Sequence, residues 1–278
     1  MPTLADLEAR RGALELELGG PVTCDALTGD FVMFQRRRGH RHSTDDLLTA
    51  WYAAEELEHL GRPGLRMLDL GSGIGSVGLA VLWCARALAD PAYAGATLTA
   101  IEAQEVSFRL LRENVEANGV ACWVETIHGD LRDPELAAGA KFDLITGSPP
   151  YFDVKAGIVS GDSQRAHARF ELRGDVGDYA RAAAARLTSE GHGRFVLCFP
   201  TVQRQRAEAA CDAAGLRLVR SRDVVPREGT PPLFTLFSYA SHLEGPPSSE
   251  PPFIVRDGAG AHTEELRSVQ VRFGLRPR

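Results

Sequence analysis

Asp69, Glu102, Asp130 and the run Ser148-Pro-Pro-Tyr151 are the residues whose types and spacing carry chemistry. Asp69 opens the stretch Asp69-Leu-Gly-Ser-Gly-Ile-Gly75, where Gly71, Gly73 and Gly75 let the backbone approach a ligand that any Cβ would block. A glycine turn leading into a helix ordinarily invites phosphate. A carboxylate this close repels phosphate and favours a ligand with a cationic head. A tight turn with no ligand is the other reading of this stretch taken alone. Glu102 can chelate a ribose through its 2′- and 3′-hydroxyls. Asp130 can accept a hydrogen bond from an adenine amino group, with Leu131 against the ring. A nucleoside with an amino group, a sulfonium and no phosphate is S-adenosylmethionine. The set therefore implies that cofactor, with Asp69, Gly71, Gly73, Glu102, Asp130, Leu131 and Ser148 as its candidate binding residues.

The candidate catalytic residues are Ser148, Pro149, Pro150 and Tyr151. Two consecutive prolines fix the backbone and remove two donors, which leaves carbonyls free to accept. Ser148 adds a side-chain acceptor, and Tyr151 and Phe152 offer aromatic faces. A planar amine fits this equipment. Ser148 and the Pro149 carbonyl can hold its two N–H groups while Tyr151 stacks on its ring. The nitrogen lone pair then faces the methyl group, so the contribution is mainly orientation for in-line displacement. The nitrogen can lose its proton after attack, and no strong base is needed beforehand.

Strands and helices in alternation must position these residues. Leu65–Leu70, Ala96–Ile101, Trp123–Ile127 and Phe142–Thr146 read as strands, and each chemical marker falls just past one of them. Helices are expected from Ser76 to Leu88, Val106 to Asn118, Asp178 to Leu187 and Val202 to Ala214. Further strands are expected at Arg194–Phe199, Leu216–Val225 and Leu233–Tyr239. The segment Pro226 to Pro232 is too short for a helical crossover, so the last two strands should be antiparallel neighbours. The expected fold is α/β: a doubly wound, Rossmann-like, seven-stranded, mostly parallel sheet with an antiparallel last strand, plus small N-terminal hairpin and helix elements. Residues 1–62 read as cap elements, 63–243 as the main domain and 244–278 as an extension packed on it. Within the first segment, Thr3–Arg11 reads as a helix and the alternation of Leu14, Leu16 and Leu18 as a strand. Val22–Leu27 and Phe31–Phe34 read as a hairpin, and Ser43-Thr44 as the cap of a helix.

The chain has 278 residues, 44% of them hydrophobic, and a net charge of -6, which argues against a general polyanion binder. No stretch reaches the roughly 18 apolar residues of a membrane span. Residues Met1 to Leu18 lack the apolar core of a signal peptide, and the five cysteines have neither disulfide-like nor zinc-like spacing. A reducing cytoplasm is the expected compartment. Only Lys141 and Lys155 are lysines among 31 basic residues. Arginine clusters at Arg36 to His42 and recurs at Arg165, Arg169 and Arg173, a spacing that shares one helix face. These read as a solvated loop and helix face or as an RNA-facing rim of phosphate contacts. His167 has the chemistry of a base, but nothing singles it out.

Asp69-Leu-Gly-Ser-Gly73, Glu102, Asp130 and Ser148-Pro-Pro-Tyr151 resemble the class I S-adenosylmethionine-dependent methyltransferases of the amino-methylating type. Leu27-Thr-Gly-Asp30, Ser43-Thr-Asp-Asp-Leu-Leu48, Ala168-Arg-Phe-Glu171, Phe253-Ile-Val-Arg-Asp257 and Thr263-Glu-Glu265 are similar to one branch of them. That branch is the bacterial tRNA adenine-N6 methyltransferases that modify the base beside the anticodon of valine tRNA. The resemblance implies methylation of an exocyclic amino group, adenine N6 in tRNA or another structured RNA. The alternatives are another amine (guanine N2, a protein glutamine amide, a small molecule) or a non-catalytic RNA-binding relative. The sequence departs from the branch in three places. Ser148 stands where the family has Asn, Ser43 where it has Gly, and His262 where it has Tyr.

Overall fold

The computed structural model describes residues 2–87, 95–151, 174–188, 192–242 and 245–277. The chain opens with α1 (Leu4–Leu18), capped by Thr3 and Asp6 in a reciprocal box and closed by Gly19 in the left-handed region. The strand expected at Leu14–Leu18 is therefore the second half of a helix. Leu7, Leu14 and Leu18 share a helical stripe against the core, while Leu16 points to solvent. A short alternation of leucines is compatible with both periods, and the tertiary contact selects the helical one.

β1 (Val22–Ala26) and β2 (Val32–Arg36) form the expected antiparallel hairpin. α2 (Thr44–Leu60) follows, its start fixed by the Asp46 carboxylate accepting the Ser43 N–H at 3.1 Å. The alternating units are β3 (Arg66–Leu70), α3 (Ser76–Ala87), β4 (Thr97–Glu102), α4 (Glu105–Ala117), β5 (Val124–His128) and β6 (Leu144–Gly147). Then come α5 (Val176–Arg186), β7 (Arg194–Pro200), α6 (Arg204–Ala213), β8 (Arg217–Val225) and β9 (Phe234–Ala240). The chain closes with β10 (Ser248–Ser249), β11 (Phe253–Ile254) and α7 (Glu264–Arg272).

The main sheet runs β10-β8-β9-β7-β6-β3-β4-β5, with β11 also on β8. β9 lies antiparallel between β7 and β8, as the short Pro226–Pro232 connection requires. The sheet has nine strands among the described residues, two more than expected. The extra pair, β10 and β11, is two residues each and sits on the outer edge of β8. Pieces that short, beside several prolines, leave no periodic trace in the sequence.

Both faces of the sheet are buried, as a parallel sheet requires. Along β7, Phe195, Leu197 and Phe199 face one core with α5 and α6. Val196 and Cys198 face the other, with α2, α3, α4 and the hairpin. The order reverses at β3, since β4 and β5 continue on one side and β6 and β7 on the other. In an open α/β sheet such a switch point leaves a crevice at the carboxyl ends of the strands.

Candidate functional site

The crevice above β3 holds a cavity of about 700 Å³, within the range of small-molecule sites. The glycine turn forms its floor. Gly71, Gly73 and Gly75 all have positive φ (61°, 58° and 91°). Gly71 is pinned by Tyr179 of α5, because a Cβ there would lie 2.0 Å from the Tyr179 hydroxyl. Gly73 lines the cavity, and a Cβ there would meet nothing within 4 Å.

Asp69 is buried beneath this turn. Its carboxylate accepts from the Thr146 hydroxyl at 2.6 Å and from the Gly78 N–H at 3.1 Å. Burial pushes its carboxyl up to about 6, against the opposing pull of those hydrogen bonds. Asp69 thus ties β3, β6 and α3 together as well as lining the cavity. Glu102, at the end of β4, receives the Gly73 N–H at 2.8 Å and the Gln104 N–H at 2.6 Å. Glu102 also lines the cavity.

Leu131 and Gly129 line the cavity, but Asp130 between them does not. The Asp130 carboxylate is held by Arg132, at 2.9 Å to Nε and 2.6 Å to an Nη. Ser148, Pro150 and Tyr151 face the cavity, while Pro149 is buried beside them. The Tyr151 carbonyl accepts from Gln203 at 2.9 Å, and its ring meets Phe199 edge-on at 6.0 Å. The structure therefore gathers every predicted site residue at one crevice, with Asp130 and Pro149 as neighbours of the cavity.

Sequence reasoning missed Asp45, Asp46 and Tyr179 and read His40 only as part of the Arg36 to His42 run; all four line the cavity. Asp45 and Asp46 read as ordinary acids in the first turn of α2. Their position over the crevice is set by packing of α2, which is buried along most of its length. The basic run is divided. Gly39, His40 and Arg41 line the cavity, Arg41 pairs with Asp25 at 3.1 Å, and Arg37 and Arg38 are exposed. Arg165, Arg169, Arg173, His167 and Phe152 lie outside the described residues.

The hairpin is bound to the turn by one buried side chain. Asn114 of α4 accepts the Phe34 N–H at 2.7 Å and donates to the carbonyls of Phe34 and Ile74 at 3.2 and 2.9 Å. Four carboxylates, Asp45, Asp46, Asp69 and Glu102, line the cavity, a field that suits a cation and opposes phosphate.

Residues 54–165 match the profile of the methyltransferase small domain. The chain is 30% identical over 213 residues to the tRNA1(Val) (adenine(37)-N6)-methyltransferase of Shewanella amazonensis, covering 76% of this chain and 84% of that protein. To the enzyme of the same description from Bacteroides thetaiotaomicron it is 26% identical over 218 residues, covering 77% and 83%. The fold is similar to that of a predicted O-methyltransferase from Agrobacterium tumefaciens, with a TM-score of 0.60 at 21% identity over 84% of this chain and 99% of that one. It is also similar to that of the Thermus thermophilus 16S rRNA N2 G1207 methyltransferase, with a TM-score of 0.52 at 18% identity over 80% and 50%.

The switch-point crevice, the open glycine turn and the carboxylate walls define a class I methyltransferase that takes S-adenosylmethionine as its cofactor. It is an N-methyltransferase, and the Ser148–Tyr151 turn lies on the same cavity. Within that class, the chain belongs to the tRNA1(Val) (adenine(37)-N6)-methyltransferase family.

Proposed function

We propose that this chain methylates the N6 amino group of an adenine in tRNA, and that Ser148 to Tyr151 hold the base. The observation that carries this reading is that Ser148, Pro150 and Tyr151 share one cavity with the glycine turn and Glu102. Donor and acceptor sites are thus contiguous. The relatives named above are described as acting on a tRNA adenine.

The residues divide the work as follows. Glu102 receives the ribose hydroxyls, and Leu131 lies against the adenine, with Asp130 beside it. Gly71 and Gly73 admit the methionine portion close to the backbone, and the carboxylates favour its positive charge. Bound there, the cofactor supplies an electrophilic methyl group. The Ser148 hydroxyl and the carbonyls of the Pro149–Pro150 turn receive the two amino hydrogens, and Tyr151 stacks on the base. This fixes the nitrogen for in-line attack, which is positioning rather than proton abstraction. Arg37 and Arg38 lie on the exposed part of the same loop and serve the phosphates, with Arg165, Arg169 and Arg173 as further candidates. Residues 1–62 act as a cap over the 63–243 methyltransferase domain, and 244–278 as an extension of it. The compartment that fits a tRNA substrate is the cytoplasm.

The test is transfer of labelled methyl from S-adenosylmethionine to bulk tRNA and, in parallel, to total protein. Label in tRNA supports the reading. Label in protein alone, or none in either, contradicts it.

A further inference from the structure

Tyr151 and Asp45 are distant in sequence, yet the Tyr151 hydroxyl lies 3.3 Å from an Asp45 carboxylate oxygen. Both residues line the cavity. The Asp45 side chain is itself fixed, since the Ser43 hydroxyl bonds to its other carboxylate oxygen and the Thr49 hydroxyl bonds to its carbonyl at 2.7 Å. Its mount, α2, is buried from Asp46 through Leu57 save for Glu55. Tyr151 is also supported by the Gln203 amide on its carbonyl, by Phe199 edge-on against its ring and by Cys198 Sγ, 3.9 Å from its hydroxyl. The first acts on the backbone, the second is apolar, and the third is a long contact to a thiol, a weak hydrogen-bonding group. Of the two contacts on the phenol, the one to the Asp45 carboxylate is the shorter and has the stronger acceptor.

We propose that Asp45 is a positioning residue for methyl transfer: it anchors the tip of the Tyr151 ring, through its hydroxyl, at the place where the acceptor base stacks. This rests on the reading that Tyr151 stacks on the acceptor. It also accounts for how the site works with Ser148. Serine is shorter than asparagine and offers a single hydroxyl oxygen, so it constrains the amino group less and leaves more of the base's orientation to the stacking ring. Burial and the neighbouring Asp46 carboxylate push the Asp45 carboxyl upward, and in either protonation state an oxygen remains to accept from the phenol.

The experiment is a double-mutant cycle on Asp45→Ala and Tyr151→Phe, with Asp45→Asn and Tyr151→Ala alongside. Steady-state methylation of tRNA and calorimetric binding of S-adenosylmethionine are measured for each. Asp45→Ala and Tyr151→Phe should each lower kcat by about tenfold, and the double variant should be no slower than the slower single one. Asp45→Asn, which keeps an acceptor oxygen, should restore most of kcat. Cofactor affinity should fall by less than about tenfold throughout, since Asp45 is one of four carboxylates around the cavity and its bond lies on the acceptor side. Effects that multiply in the double variant would overturn the proposal. So would a tenfold or greater loss of cofactor affinity in Asp45→Ala, which would make Asp45 a cofactor ligand. Failure of the underlying stacking reading is a separate result: Tyr151→Ala would then retain full turnover.

Discussion

Replacing Gly71 with alanine should damage the cofactor site in a way that a second substitution partly repairs. Gly71 has φ 61°, a region that costs a residue with a Cβ about 1–2 kcal/mol. The new Cβ would also lie 2.0 Å from the Tyr179 hydroxyl and 3.0 Å from the ring carbon that bears it. Tyr179 cannot simply step aside. It is buried, and its ring packs against Gly147, where an added Cβ would come within 2.9 Å. The turn must therefore shift, for a combined cost of about 2–4 kcal/mol shared between stability and cofactor affinity. In Gly71→Ala with Tyr179→Phe the hydroxyl is gone and the nearest atom retreats to about 3.0 Å. The collision is then largely relieved while the backbone strain remains. Calorimetric titration with S-adenosylmethionine should show Gly71→Ala weakened by at least about tenfold, and the double variant recovering part of that loss. Urea unfolding of both variants separates affinity from stability. Wild-type affinity and stability in Gly71→Ala, or a double variant no better than the single, would refute the reasoning.

Tyr151→Ala should lower kcat by about a hundredfold with little change in cofactor affinity, because it removes the surface that orients the base; unchanged kcat would exclude stacking. Burial raises the Asp69 carboxyl from 3.8 to about 6, so the fold favours its neutral form. The associated stability, on the order of 3 kcal/mol, is present below 3.8 and is lost as pH rises through about 6. Binding of a cationic cofactor works in the opposite sense. Its affinity should fall as pH drops below about 6, and Asp69→Asn should flatten that profile in titrations at several pH values. Arg220 bonds Glu56 at 2.6 Å, Glu55 at 2.8 Å and Glu250 at 2.9 Å, joining α2 to β8 and the C-terminal extension. Arg220→Ala strips the buried Glu56 of this partner and leaves Arg194 at 3.3 Å, so urea unfolding should show a loss of about 3 kcal/mol.

The parts of the site that lie along the sheet were legible in the sequence. Asp69, Glu102 and Ser148 each end an apolar run, and the rule that strand ends carry ligands brings them together without any knowledge of side-chain packing. What was not legible depends on elements meeting from far apart. Asp45 reaches Tyr151 because α2 lies across the sheet, and Tyr179 meets Gly71 because α5 packs beneath the turn. Neither pairing has a local signature. Asp130 was placed correctly at the end of β5, but its carboxylate is taken by Arg132, a competitor two residues away that strand-end reasoning does not weigh. The helix at Leu14–Leu18 was lost because three alternating leucines fit either period. The capping box at Thr3 and Asp6 fixes only where the helix begins.

Mass spectrometry of the nucleosides from tRNA incubated with the enzyme and S-adenosylmethionine tests the central claim most directly. The account requires N6-methyladenosine above the level in untreated tRNA, and its loss with Tyr151→Ala. Methylation confined to guanosine, or none in tRNA at all, would contradict it.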